Sequence, residues 1–487
     1  MITEVLVVLV LFVLLIKASI RPSNFPPGPR GLPLVGYIPF LSKLDAEYPH
    51  LALKKLSDHY GPVTGFYLGP CQPFISVCGY QAVREALYNE DLAGRPSNAA
   101  RRERTFGQRL GVIHNEGPEW QEQRRFTLRH LRDLGFGRTS SEGLIREEIE
   151  DLLEEIRACQ LVQHGSVDFK GMFNLSLINI LWALIGGERF KRDDQRLSHL
   201  LDIVDNFVHS ADFTRANIPL PDFCLSYFPS LTRKLLGLRN DLFTPLQDFI
   251  RERIRQHSKD RSEDNPRDFI DVYLQEMTKS QLNSSDNSSF HAETTSGSIG
   301  FAILYLLHNP EIQRRIQMEL DQICGDSLPQ LSQRPSLPYT EAALMEAQRL
   351  SNITPLAVAH KALRDTQLQG YSIPRGSIVT VNLFTVHHDN DDDESFWKES
   401  EIFRPERHLS PDGRKLIKSD HLLPFSAGKR ACLGEPLARN TYFLFTASLL
   451  KVFEFHPLPD RPLPTLKPKN GLTLGYDGFE AMVTSRS

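Results

Sequence analysis
The chain has no excess of basic charge: 56 Lys and Arg stand against 60 Asp and Glu, a net charge of -4 over 487 residues. That near-neutral balance argues against a general nucleic-acid binder, and no nucleic-acid partner is expected. Cysteine is also scarce. Six are scattered at Cys71, Cys78, Cys159, Cys224, Cys324 and Cys432, with no C-x-x-C pair and no regular spacing. This is a reducing-compartment pattern, which excludes a disulfide framework and a zinc-ligand array. Internal repeats and long low-complexity tracts are absent too.

Long hydrophobic runs are equally missing, apart from a short one at the start. Val5 to Ile16 is unbroken apolar sequence, followed by Lys17-Ala18-Ser19-Ile20-Arg21. It reaches the roughly 17 residues of a bilayer span only if Lys17 snorkels and the segment continues to Ile20. A cleaved signal peptide is the rival reading, but that needs a basic leading region, and here Glu4 precedes the run and no Lys or Arg comes before position 17. Residues 1-20 are therefore expected to be an uncleaved membrane anchor. The basic flank of Lys17, Arg21 and Arg30 follows the run and leaves the remainder in the cytosol. Residues 21-36 hold Phe25-Pro26-Pro27-Gly28-Pro29, then Gly31, Pro33 and Gly36, and read as a stiff extended hinge. Residues 37-487 make up the expected catalytic domain.

What the chain does have is 40% hydrophobic residues, enough for a sizeable core. Its chemistry is concentrated in Phe425-Ser426-Ala427-Gly428-Lys429-Arg430-Ala431-Cys432-Leu433-Gly434, which fits F-x-x-G-x-R-x-C-x-G at every fixed position. A match of that kind arises by chance in about one chain in ten thousand. A cysteine holding haem iron must be a thiolate, and a buried thiolate needs backbone donors, a nearby cation and the metal. Gly428 and Gly434 are expected to turn N-H groups toward the Cys432 sulfur, while Arg430 reaches a haem propionate.

The stretch resembles the cysteine-ligand loop of the haem-thiolate monooxygenases, the cytochrome P-450 superfamily. Further segments resemble the microsomal drug, steroid and fatty-acid branch, with an arthropod-like run at Arg124-Arg125-Phe126-Thr127-Leu128-Arg129-His130-Leu131. The resemblance implies one large, mainly helical domain with small β-sheets, binding haem b. It implies propionate partners at Arg95 in Gly94-Arg95-Pro96, at Trp120 and Arg124 on one helix face, and at His360. It also implies a structural lock, Glu346 and Arg349 joined by Arg407 of Pro405-Glu406-Arg407, with His408 standing where an aromatic usually follows.

Phe290-His291-Ala292-Glu293-Thr294-Thr295 resembles the family's oxygen-binding signature incompletely. Carried over, Glu293 and Thr294 are the acid and alcohol that relay protons to dioxygen. The polar run Asn283 to Ser289 favours caps and turns, so this helix is expected to start near Ser289 or Phe290. The implied activity is insertion of one atom of dioxygen into an apolar small molecule, by hydroxylation or epoxidation. The implied partner is an NADPH-dependent flavoprotein reductase, with cytochrome b5 as a second electron donor, at the cytosolic side of the endoplasmic reticulum membrane. Two rivals keep the haem: a thiolate-haem isomerase or dehydratase, and a haem-binding variant whose broken oxygen signature impairs oxygenation.

The remaining segments set simpler expectations. Val63 to Leu68 and Pro73 to Val77 form a hairpin, and Gln81 to Tyr88, Ser141 to Gln160, Met172 to Ile185 and Phe243 to Gln256 are helices. His257 to Asn287 is an exposed connection holding a short helix at Asp268 to Met277. Tyr371 to Ile373 pairs with Ile378 to Leu383, Pro436 to Leu450 is a buried helix, and Gly471 to Val483 is a terminal strand pair.

Overall fold
The computed structural model describes residues 21-487 except 33-34, 70, 98-101, 103-107, 192-193, 195-200, 202-229, 231-239, 261-265, 281-289, 390-395 and 487; it also omits the side chains of 240-243, 246, 260, 277-280 and 290-293. The expected anchor lies outside the described residues. Among those described, no helix is long and apolar enough to cross a membrane.

The helices are α1 (Ile38–Leu44), α2 (Pro49–Tyr60), α3 (Tyr80–Tyr88), α4 (Gly117–Asp133), α5 (Glu142–Val162), α6 (Asn174–Gly186), α7 (Asn240–Asp260), α8 (Phe269–Ser280), α9 (Phe290–His308), α10 (Pro310–Cys324), α11 (Pro338–Ser351), α12 (Phe384–His387) and α13 (Glu435–Val452). The strands are β1 (Val63–Leu68), β2 (Gln72–Val77), β3 (Ser166–Asp168), β4 (His360–Lys361), β5 (Thr366–Leu368), β6 (Tyr371–Ile373), β7 (Ile378–Val381), β8 (Phe453–His456) and β9 (Glu480–Ser485). They form three small sheets, ordered β1-β2-β7-β4, β3-β9-β8 and β5-β6. The mainly helical class with small sheets is as expected.

α9 organises the core. Its sequence from Ile299 to Leu307 is apolar all round except for the Tyr305 hydroxyl, and every residue there is buried, as a helix without a polar face must be. It packs on α6, α11 and α13. Gly300 is a notch: a Cβ there would meet the Tyr476 ring at 2.0 Å. Asn309 and Pro310 end α9, because proline opens the next helix at its first turn. The helix is described from Phe290 onward, and the polar run expected to precede its start lies outside the described residues. α11 stops at Asn352, which takes the left-handed conformation (φ 36°) and returns its N-H to the Gln348 carbonyl.

Several expectations are corrected. β6 pairs with β5, whereas β7 runs parallel to β2 and antiparallel to β4, so the hairpin expected between β6 and β7 does not form. The terminal strand β9 lies between β3 and β8, and the residues from Gly471 onward do not pair with it. The connection after His257 is not wholly exposed: His257, Asp268 and Asp271 are buried, and the helix within it, α8, runs to Ser280. His257 Nε2 donates to Asp268 at 2.7 Å, and Asp268 in turn accepts the Asp271 N-H that opens α8. The proline-rich segment is docked rather than free. Gly65 N-H donates to the Pro27 carbonyl, and Phe25 stacks on Tyr67.

Candidate active site
One cavity of about 430 Å³ opens between α9, α11, α13 and the loop before α13. Arg95, Arg124, Thr294, His360, Phe425, Arg430 and Cys432 all line it, so residues far apart in sequence meet there. Of the five described cysteines only Cys432 does. Trp120 is not on the wall but sits directly behind it, its ring 3.5 Å from the Arg430 guanidinium. The backbone of Glu293 lies in the first turn of α9, and its side chain is outside the described residues. Thr294 reaches the cavity, and its carbonyl accepts the Ser298 hydroxyl.

The cysteine loop is shaped by short-range bonds. Ser426 N-H returns to the Leu423 carbonyl, and Cys432 N-H to the Phe425 carbonyl at 2.9 Å. Gly428 has φ 72°, and a Cβ there would lie 2.0 Å from the Leu87 carbonyl oxygen, so glycine is required. Gly434 is different. It is an ordinary right-handed N-cap of α13 (φ -80°), and its N-H faces the sulfur together with that of Glu435 because both open the helix. The expectation that glycine flexibility at Gly434 aims this donor is thus corrected: the helix start aims it. Burial pushes the Cys432 thiol up, against the Gly434 N-H and the Arg124 charge that favour the thiolate. Without a metal these donors do not overcome burial.

The cationic end of the cavity is built from three arginines. Arg430 donates from Nε to the Ala93 carbonyl (2.8 Å) and from Nη2 to the Asn115 carbonyl (2.9 Å). Its Nη1 is buried with no partner among the described residues. Burial and the neighbouring Arg124 charge lower its pKa to about 10. Arg95 gives Nε to the Ile113 carbonyl and Nη1 to the carbonyls of Val358 and Ala359, and its N-H goes to Glu116. Arg124 donates to the Ala431 carbonyl at 2.8 Å. Trp120 Nε1 donates to the Val112 carbonyl, so in this structure its N-H is engaged by the backbone. His360 is fully buried; Leu92 O lies 2.8 Å from its Nδ1, and burial with the Arg95 charge drives its pKa down to about 3. An orphaned guanidinium N-H beside further cations calls for an anion, and a soft sulfur stands in the same cavity. This donor set fits haem b, with a carboxylate-bearing edge at Arg430 and an axial thiolate from a cysteine.

Beside the cavity lies the lock. Glu346 and Arg349 are both fully buried, joined by two bonds of 2.8 and 2.9 Å, and Arg407 Nε adds a third at 2.9 Å. Burial pushes the Glu346 carboxyl up, but Arg349 and His408 outweigh it and hold it at about 2. Here sequence reading missed a partner. His408, also fully buried, donates from Nε2 to Glu346 at 2.9 Å, so the departure from an aromatic supplies a fourth member of the network.

Buried neutral histidines set the acid limit of the fold. Burial, then the His388 charge, lowers His50 to about 4, and the same two causes hold His387 well below its usual value. Both protonate near 6.5 when unfolded, so the stability they carry is complete above pH 6.5 and is lost as pH falls. His360, whose pKa is about 3, behaves the same way, so the slope is at most about 1.4 kcal/mol per pH unit for each, or about 4 for the three. Glu346 contributes nothing to this loss until pH approaches 4.5. Denaturant unfolding at pH 6 and pH 5 should differ by about 3.5 kcal/mol; equal stabilities would contradict it.

A fold of this class, with a cysteine and arginine-rich cavity beneath a buried helix, defines a haem-thiolate protein. A family model, Cytochrome P450, matches residues 26–482. Farnesoate epoxidase of Bombyx mori is 30% identical over 502 aligned residues, covering 100% of this chain and 99% of that protein. Cytochrome P450 2J2 of Homo sapiens is 35% identical over 477, covering 93% of this chain and 90% of its own length. The chain belongs to the cytochrome P450 family. It is a monooxygenase that hydroxylates or epoxidises apolar substrates and binds haem b through an axial cysteine thiolate. Neither the isomerase reading nor the impaired-oxygenase reading is favoured by these relatives.

Proposed function
We propose that Cys432 is the axial ligand, that Arg95, Arg124, His360 and Arg430, with Trp120 behind them, hold the propionates, and that Phe425 shields the sulfur. The observation that carries this is the unpartnered Arg430 Nη1 in the cavity that Cys432 lines. When bound, the haem supplies activation of dioxygen and insertion of one oxygen atom into substrate. The protein does the rest. Gly434 and Glu435 N-H groups stabilise the sulfur charge, and Thr294 with Glu293 holds and passes protons on the α9 side. Ile353, Leu356, Val358, Leu177, Ile180 and Leu474 keep the substrate space apolar.

Since one relative is named for farnesoate epoxidation, the substrate class we assign is an unsaturated linear terpenoid acid or ester. Turnover of farnesoate by the reconstituted enzyme should give an epoxide retaining the carboxyl group. Conversion of saturated fatty acids alone would overturn that assignment.

In this reading residues 1-20 anchor the chain, 21-36 connect it, and 37-487 carry catalysis at the cytosolic face of the endoplasmic reticulum, with the microsomal relatives as support. Electrons come from an NADPH-dependent flavoprotein reductase, with cytochrome b5 as a second donor. Arg125, Arg129 and Arg132 are exposed on α4, the helix that Arg124 ties to the cysteine loop, and form the docking face for an acidic partner. Reversing two of them to Glu should slow electron transfer about tenfold at low salt and flatten its salt dependence. An unchanged rate across ionic strength would exclude this face.

A further inference from the structure
His387 lies at the end of α12, belongs to none of the sequence motifs considered above, and is fully buried. Leu423 N-H donates to its Nε2 at 2.8 Å. A backbone amide can only donate, so Nε2 is bare and the ring proton sits on Nδ1. That Nδ1-H points to Asn352 Oδ1 at 3.0 Å. The carbonyl of the same residue accepts Arg349 Nη1 at 2.6 Å. One residue thus joins three places: the left-handed end of α11 at Asn352, which lines the cavity; the buried Glu346-Arg349 pair; and Leu423, two residues before the cysteine loop begins at Phe425.

The loop has two anchors of its own. Ser426, at φ 60°, donates to the Leu423 carbonyl, and Cys432 N-H donates to Phe425. Both are internal to the segment from Leu423 to Cys432, so they fix its shape without fixing its place. From outside, Arg124 on the Ala431 carbonyl and Arg430 on the Ala93 and Asn115 carbonyls hold its later part, and the His387 bond to Leu423 holds its start. We propose that His387 is a positioning residue for the cysteine ligand: its neutral, Nδ1-protonated ring sets where the loop begins relative to the cavity wall, and so where the Cys432 sulfur stands. The inference rests on Cys432 being the ligand.

Neither neighbour replaces the ring. Asn352 spends its Oδ1 on His387, and its Nδ2 is buried with no partner among the described residues. A leucine at 387 keeps the apolar bulk and loses both bonds. A glutamine restores an amide oxygen within reach of the Leu423 N-H.

The test uses the full-length haem-loaded chain and follows the reduced carbonyl complex, comparing the thiolate-type band with the band of the form that has lost its thiolate. In His387→Leu the thiolate-type band should convert about tenfold faster than in the unsubstituted chain, the effect of losing one buried bond and orphaning its donor. His387→Gln should recover most of the difference, and Asn352→Ala, which frees the ring to turn, should show an intermediate acceleration. Haem content and far-ultraviolet circular dichroism, measured before conversion, separate this from loss of fold. Equal conversion rates in His387→Leu and the unsubstituted chain would overturn the inference alone. So would a His387→Gln variant as fast as His387→Leu. If His387→Leu yields no folded protein, Asn352→Ala decides: a wild-type rate there overturns the proposal. An unsubstituted chain with no thiolate-type band would overturn the ligand assignment and this inference with it.

Discussion
Cys432→Ser is expected to abolish the thiolate-type Soret band of the reduced carbonyl complex completely. A serine oxygen is a hard donor whose proton leaves far less readily than that of a thiol, so the soft anionic ligand disappears. The surroundings do not rescue it. The Gly434 and Glu435 N-H groups and the Arg124 charge favour an anion at this position, yet burial still keeps even the thiol above its usual pKa in the absence of metal. None of the other described cysteines lines the cavity, so none stands ready to take over. The substitution removes one atom's chemistry and almost no volume, so the helical content should remain at the wild-type level. A thiolate-type band in Cys432→Ser would refute the ligand assignment.

Glu346→Ala should be the most damaging substitution away from the cavity. It strands two guanidiniums, Arg349 fully buried and Arg407 nearly so, and leaves His408 Nε2 without its acceptor. An uncompensated buried charge of this kind costs about 3–5 kcal/mol. The expected result is little or no haem-loaded protein, read as haem per polypeptide and as a lowered unfolding midpoint. Arg407→Lys should be milder, since lysine keeps the charge but cannot serve Glu346 and the carbonyls of Lys398, Glu399 and Ile402 together. Wild-type stability in Glu346→Ala would mean that the network is ornamental.

How legible each part was in the sequence depended on the range of the forces that fix it. The cysteine loop could be read because metal ligation demands particular residues at particular short spacings, and Gly428 is needed where the loop presses on the Leu87 carbonyl. The Glu346, Arg349 and Arg407 lock came from family resemblance and could not have come from spacing, since Arg407 is 61 residues from Glu346. Contacts of this kind leave no local signal. His408 reads only as a departure from an aromatic and His387 draws no reading at all, because their partners at Glu346 and Leu423 are set by tertiary packing alone. The same limit misled the reading of β6 and β7: nearness in the chain suggested a hairpin, while β7 gains more by pairing in parallel with β2 inside the larger sheet.

The most direct test of the whole account is turnover under isotope-labelled dioxygen, with the reconstituted enzyme, its reductase and an unsaturated apolar substrate. A monooxygenase built on Cys432 places one labelled oxygen atom in each molecule of product and the other in water, with consumption of electrons matching product. Product that carries no label, or label-free rearrangement without any reductase, would contradict it.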